Sequence, residues 1–304
     1  MKLPGSPKPR AAPRRHSAED GGLPGPTVGV ALRAHIQRLQ QALDRSLDDL
    51  IAEVTADAVH ASRTTARRLR AVLSAFRRQL NPAARRRYAA ALQRLARDLD
   101  AVRDAQVAEQ TISALSKKKM GLTREEFDGL KALVVQNSSR AVWDLRSVTA
   151  SSPWHARLAA MRIVASDPGL IIESQEPMSS IILVVLERRR RRVRDALRHD
   201  GRAPRALHKL RLKIKMLRYL LEQCASTREA TVRAEVGQLR ELQDCLGDFH
   251  DAWCLRRAVK DQWRYRGATA KLRVNLKARQ RELFENFRKH RKRLRRVWRA
   301  RRDH

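Results

Sequence analysis

Apolar residues recur along most of this chain at steps of three and four. Over residues 28–54 they are Leu32, Ile36, Leu39, Leu43, Leu47 and Leu50, one face of an amphipathic helix. A second helix is predicted over 58–80, stopped by Asn81-Pro82, because proline cannot continue a helix from its N-terminal side. A third is predicted over 83–116. Thr123 and Glu126 have capping-box spacing and open a helix that reaches about residue 150. Helical patterning resumes over 179–199, breaks over 201–204, and returns over 205–224, 229–259 and from 268 to the end. No stretch alternates as a strand does, so the expected fold class is all-α.

Two segments fall outside this periodicity. Residues 1–27 hold six of the eleven prolines and read as a disordered, basic, Pro/Gly-rich tail. Residues 151–177 carry Pro153, Pro168, Gly169 and Pro177 and read as a linker, part of it helical. The expected organisation is a first half over 28–150, the linker, a second half over 178–286, and a basic extension over 287–304.

The two halves repeat each other. VHASRTTARRLRAVL (59–73) aligns with LHKLRLKIKMLRYLL (207–221) at a constant offset, pairing His60 with His208, Arg63 with Arg211, Arg67 with Lys215 and Arg70 with Arg218. Farther on, LARDLDA (95–101) resembles LGDFHDA (246–252). Each half therefore places an acidic helix after a His/Arg helix. The four polar residues of each motif step by three, four and three, which at about 100° per residue confines them to a stripe about 80° wide and about 15 Å long. Leu69, Val72, Leu73, Phe76 and Leu80 face the other way in the first motif, as do Leu210, Leu217, Leu220 and Leu221 in the second.

Charge turns this geometry into chemistry. The chain carries 66 Lys and Arg against 32 Asp and Glu, a formal net charge of +34 over 304 residues. Such an excess repels itself in a compact fold, so an anionic partner is expected. A ladder of cations one turn apart suits a linear polyanion with a charge on every unit; arginine forks grip phosphate oxygens in pairs, and lysine supplies a point charge. The histidines donate a hydrogen bond when neutral and become cationic when an adjacent phosphate raises their pKa. Asp98, Asp100, Asp104, Asp244, Asp248 and Asp251 read as salt-bridge partners of nearby arginines rather than as metal ligands. Three cysteines, Cys224, Cys245 and Cys254, show no ligand spacing and read as reduced thiols. No metal ligand, cofactor or catalytic residue is assigned, and the phosphate-binding, nucleophile-elbow and metalloprotease motifs are absent from the sequence.

The segments VHASRTTARRLR, ARDLDAV, LHKLRLKIKMLRYLLE and LQDCLGDFHDA, in that order, resemble the CHAD domain, the conserved histidine α-helical domain, over about residues 28–266. The resemblance implies two four-helix bundles related by a pseudo-two-fold, with the basic helices lining a central groove. It implies non-enzymatic binding of inorganic polyphosphate and, in bacteria, association with polyphosphate granules in the cytoplasm. Carried over residue by residue, the polyphosphate-binding set is His60, Arg63, Arg67, Arg68, Arg70, His208, Lys209, Arg211, Lys213, Lys215 and Arg218. Met216 stands where the first half has Arg68, and Arg103 interrupts an apolar and acidic segment; both are departures from the family pattern. CHAD domains are often joined to a tunnel domain marked by ExExK, a motif this sequence lacks. The alternative is a general polyanion or nucleic-acid-binding, nucleoid-type protein. Scarce aromatics argue against base stacking, but ten basic residues among the fifteen of 288–302 could form an accessory arm for nucleic acid.

Overall fold

The structure is a computed structural model that describes residues 26–115, 121–198, 203–224, 230–259 and 266–300. Most of the N-terminal tail, the break at Gly201, the side chain of Cys224 and the last four residues lie outside that set. Among the described residues the chain forms ten α-helices, α1 (Val28–Ala52), α2 (Ala56–Ala75), α3 (Pro82–Asp98), α4 (Asp100–Ser113), α5 (Arg124–Thr149), α6 (Ser152–Ser166), α7 (Met178–Arg198), α8 (Pro204–Cys224), α9 (Ala230–Ala258) and α10 (Arg266–Ala300). A 3-10 turn, Pro168–Leu170, follows α6. The all-α expectation holds.

The local signals act as their chemistry demands. Thr27 and Thr55 cap α1 and α2 by accepting the amides of Val30 and Ala58. Asn81 caps α3, with Pro82 at its first position, where the missing N–H is not needed. Thr123 and Glu126 form the full capping box of α5. One expectation changes. The single helix over 83–116 is two, α3 and α4, which meet at Leu99, whose carbonyl accepts from the Arg63 guanidinium at 3.2 Å. The stretch over 151–177, read as a linker and in part helical, contains α6, which buries Trp154, Leu158 and Met161, and isolated bridges tie Leu80 to Ile171 and Thr27 to Pro177.

The larger hydrophobic cluster draws on both halves of the sequence, from Leu43 and Leu69 to Leu217, Leu239 and Trp298. A smaller cluster joins α4 and α5 to α9 and α10 through Ile112, Leu130, Leu255 and Leu272. Helix α10 runs along α9, and its last turns enter the core through Phe287, Leu294 and Trp298. The basic segment from 287 onward is thus the continuation of a packed helix as far as Ala300. No helix among the described residues is long and apolar enough to cross a membrane.

Candidate functional site

Helix α2 turns its small and apolar face inward. Ser62, fully buried, donates to the Ser46 carbonyl of α1 at 2.8 Å, while Leu69, Val72 and Leu73 enter the core. That seating leaves its basic stripe facing away from α1. Helix α8 does the same with Leu210, Ile214, Leu217 and Leu221. The two helices pack on each other, so the basic stripes of two distant sequence segments meet.

They meet at a cavity of about 420 Å³ lined by Arg63, Arg67 and Arg70 of α2, Arg205, His208 and Lys209 of α8, Asp100 and Asp104 of α4, and His250 and Trp253 of α9. Arg63 is held at the α3–α4 junction, bonded to the Leu99 carbonyl and paired with Asp100 at 2.8 Å. Arg211 passes over α9 at Gly247, where a β-carbon would come within 3.5 Å of its guanidinium, and its Nε is buried without a partner.

The rest of the predicted set lies off this lining. Arg68, Lys215 and Arg218 gather around the buried ring of Tyr219, at 5.4, 5.7 and 4.9 Å from its centre. Arg218 also bonds Gln243 at 3.0 Å and Glu222 at 2.5 Å. His60 is exposed beside Thr64, and Lys213 is exposed. The sequence reading missed Arg205, His250, Trp253 and Tyr219. His250 lies within a quoted motif, but only packing brings its ring within 4.6 Å of His208.

The electrostatics are those of cations crowded without enough counter-charge. Burial, then neighbouring arginines, pushes His60 and His208 below the ordinary imidazole value. Burial and the His208 ring push His250 down to about 4. Lys215, 8% exposed, falls to about 6 through burial and the charges of Arg67, Arg211, Arg218 and Arg63. Arg67 and Arg103 are lowered by burial first and by Arg63 next. The acidic groups do not neutralise this. Asp104, Asp248 and Asp251 are raised, chiefly by burial. Groups this crowded favour an anion that brings its own negative charge into the groove.

Comparison with known proteins places this arrangement. The family model of the CHAD domain matches residues 30–260. Among solved structures, the CHAD domain from the plant Ricinus communis superposes with a TM-score of 0.75 at 19% identity, covering 93% of this chain and 96% of that one. PptA from Streptomyces chartreusis superposes with a TM-score of 0.69, also at 19% identity, covering 91% of this chain and 100% of that one. At such identities the likeness is one of fold. No curated protein sequence matches the chain.

Proposed function

This chain belongs to the CHAD domain family, and on that premise we propose that it binds inorganic polyphosphate in the groove between α2 and α8, without turning it over. One observation carries the reading: basic side chains from opposite halves of the sequence line one cavity, with Arg63, Arg67 and Arg70 on α2 and Arg205, His208 and Lys209 on α8. A linear phosphate polymer presents charge at every unit and can meet both ladders at once. The neutral histidines donate hydrogen bonds, and the arginines supply paired ones. Trp253 and Tyr219 are the aromatics beside these cations, too few to stack successive bases. Asp100 is tied to Arg63, which favours a holding role for that carboxylate over general-base work. Association with polyphosphate granules follows from the same chemistry and is part of the proposal.

The test is competition. Labelled long-chain polyphosphate bound to the full chain is displaced by unlabelled polyphosphate or duplex DNA at matched phosphate. Polyphosphate should compete far better and be recovered undegraded. Charge reversal belongs at Arg70 and Lys209, because Arg63 and Arg211 are held by the fold. Arg70→Glu with Lys209→Glu should lower affinity by at least about 100-fold, since two charge-assisted contacts are replaced by repulsions. A folded double variant with unchanged affinity excludes the groove, and equal competition by DNA favours a general polyanion surface.

A further inference from the structure

One cluster beside the groove is not explained by anion binding. Asp104 of α4 and His250 and Cys254 of α9 each offer a donor atom, and all three atoms lie within 4.8 Å of one another. His250 and Cys254 are one helical turn apart, and His250 Nε2 lies 3.6 Å from Cys254 Sγ. That separation is the edge, about 3.6 Å, of a tetrahedron with ordinary zinc–nitrogen and zinc–sulfur bonds. Asp104 and His250 line the groove, while Asp104 and Cys254 line an adjoining cavity of about 340 Å³ together with Asn137 and Arg257. The cluster therefore forms part of the wall shared by two spaces, with room for a further ligand.

The geometry points to a divalent-metal site of borderline softness, suited to Zn²⁺, in which Asp104, His250 and Cys254 are three ligands and a fourth position stays open. The donor set selects the ion. Thiolate and imidazole together favour zinc over magnesium or calcium, which need several oxygens. The surroundings reinforce that choice. Arg63, Arg103, Arg211 and Arg257 act on these groups, so a hard cation held by charge alone is repelled, whereas bonds to sulfur and nitrogen can offset that repulsion. Cys254 must surrender its thiol proton to solvent when the metal binds, and burial makes that proton hard to remove without one.

Cobalt(II) reports on such a site because its bond to a thiolate gives a near-ultraviolet charge-transfer band. Titrating the untagged, metal-free full chain with Co²⁺ at neutral pH should give this band at one equivalent, with Zn²⁺ abolishing it by displacement. Cys254→Ala should remove the band, and Cys245→Ala should keep it. Asp104→Asn and His250→Ala should retain sulfur ligation while weakening cobalt at least about tenfold. Far-ultraviolet circular dichroism checks folding, and if Cys254→Ala unfolds, the other two variants carry the test. Absence of the band in the wild-type chain, or its persistence in folded Cys254→Ala, overturns the assignment. So does unchanged cobalt affinity in folded Asp104→Asn and His250→Ala.

Discussion

Lys215 shows how a single side chain can couple the groove to protons. Its folded value, about 6, lies below its ordinary 10.5 because it is buried among Arg67, Arg211, Arg218 and Arg63. Between those two values the unfolded chain holds a proton that the folded chain lacks. The contribution to stability therefore rises with pH across that window, and below about 6 the cost of burying the charge is fully present. A polyanion in the groove offsets the four arginines and raises the folded pKa, so binding should take up a proton. Lys215, with its folded value near 6 and so many cations around it, is the ladder group whose proton is most exposed to that change. Calorimetry of polyphosphate binding in buffers of different ionisation enthalpy should report net proton uptake, with affinity rising as pH falls. Lys215→Met should reduce the uptake. Equal uptake by the wild type and this variant would rule Lys215 out as the source. The sequence placed Lys215 in a cationic stripe but could not show that it is buried, because burial depends on how α8 packs against α2, α7 and α9.

At the scale of helices, the device that joins the C-terminal half is a buried polar triad. Arg190 of α7 donates two bonds of 2.8 Å to Glu235 of α9, which also accepts from the Trp298 indole of α10 at 2.8 Å. The ion pair is 4% and 1% exposed. Removing one partner from such a pair is far worse than removing both. Arg190→Met should destabilise the chain by about 3–5 kcal/mol in denaturant unfolding, because the buried Glu235 carboxyl is left without the guanidinium. Adding Glu235→Leu should recover much of that loss; a double variant as weak as the single one would mean that packing, not charge, is what Arg190 supplies. Periodicity made the helices legible: Leu32 through Leu50 predicted α1, and Thr123 with Glu126 predicted the start of α5. It failed where tertiary contacts act. The division at Leu99, where the carbonyl accepts from a guanidinium of α2, is not marked in the periodicity. Arg189 and Arg190 sit in a run of five arginines, and helical phase turns both inward beside Leu186 and Val193.

For the whole molecule, the question is how much of the +34 charge acts through the groove and how much through the surface. The repeat made the two ladders legible because identical spacing at a constant offset survives divergence. It could not divide the ladder cations between the cavity wall and the Tyr219 cluster, since that depends on how α2 meets α8. Five cationic residues, Arg63, Arg67, Arg70, Arg205 and Lys209, line the cavity. Outside it, α7 exposes Arg191, Arg192 and Arg198, and α10 exposes Lys289, Lys292, Arg293 and Arg296. A flexible polyanion neutralised by Z cations releases counter-ions, giving a logarithmic salt slope of about −0.7Z. Polyphosphate just long enough to fill the groove should therefore show a slope of about −3 to −4. Longer chains can continue onto the basic faces of α7 and α10 and should show a steeper one. Binding measured against salt for a series of chain lengths separates the two contributions. If the slope already exceeds this range for the shortest chains, the molecular field dominates over the groove. A slope that stays constant as the chains lengthen confines the interaction to the cavity and leaves the exposed arginines to another role.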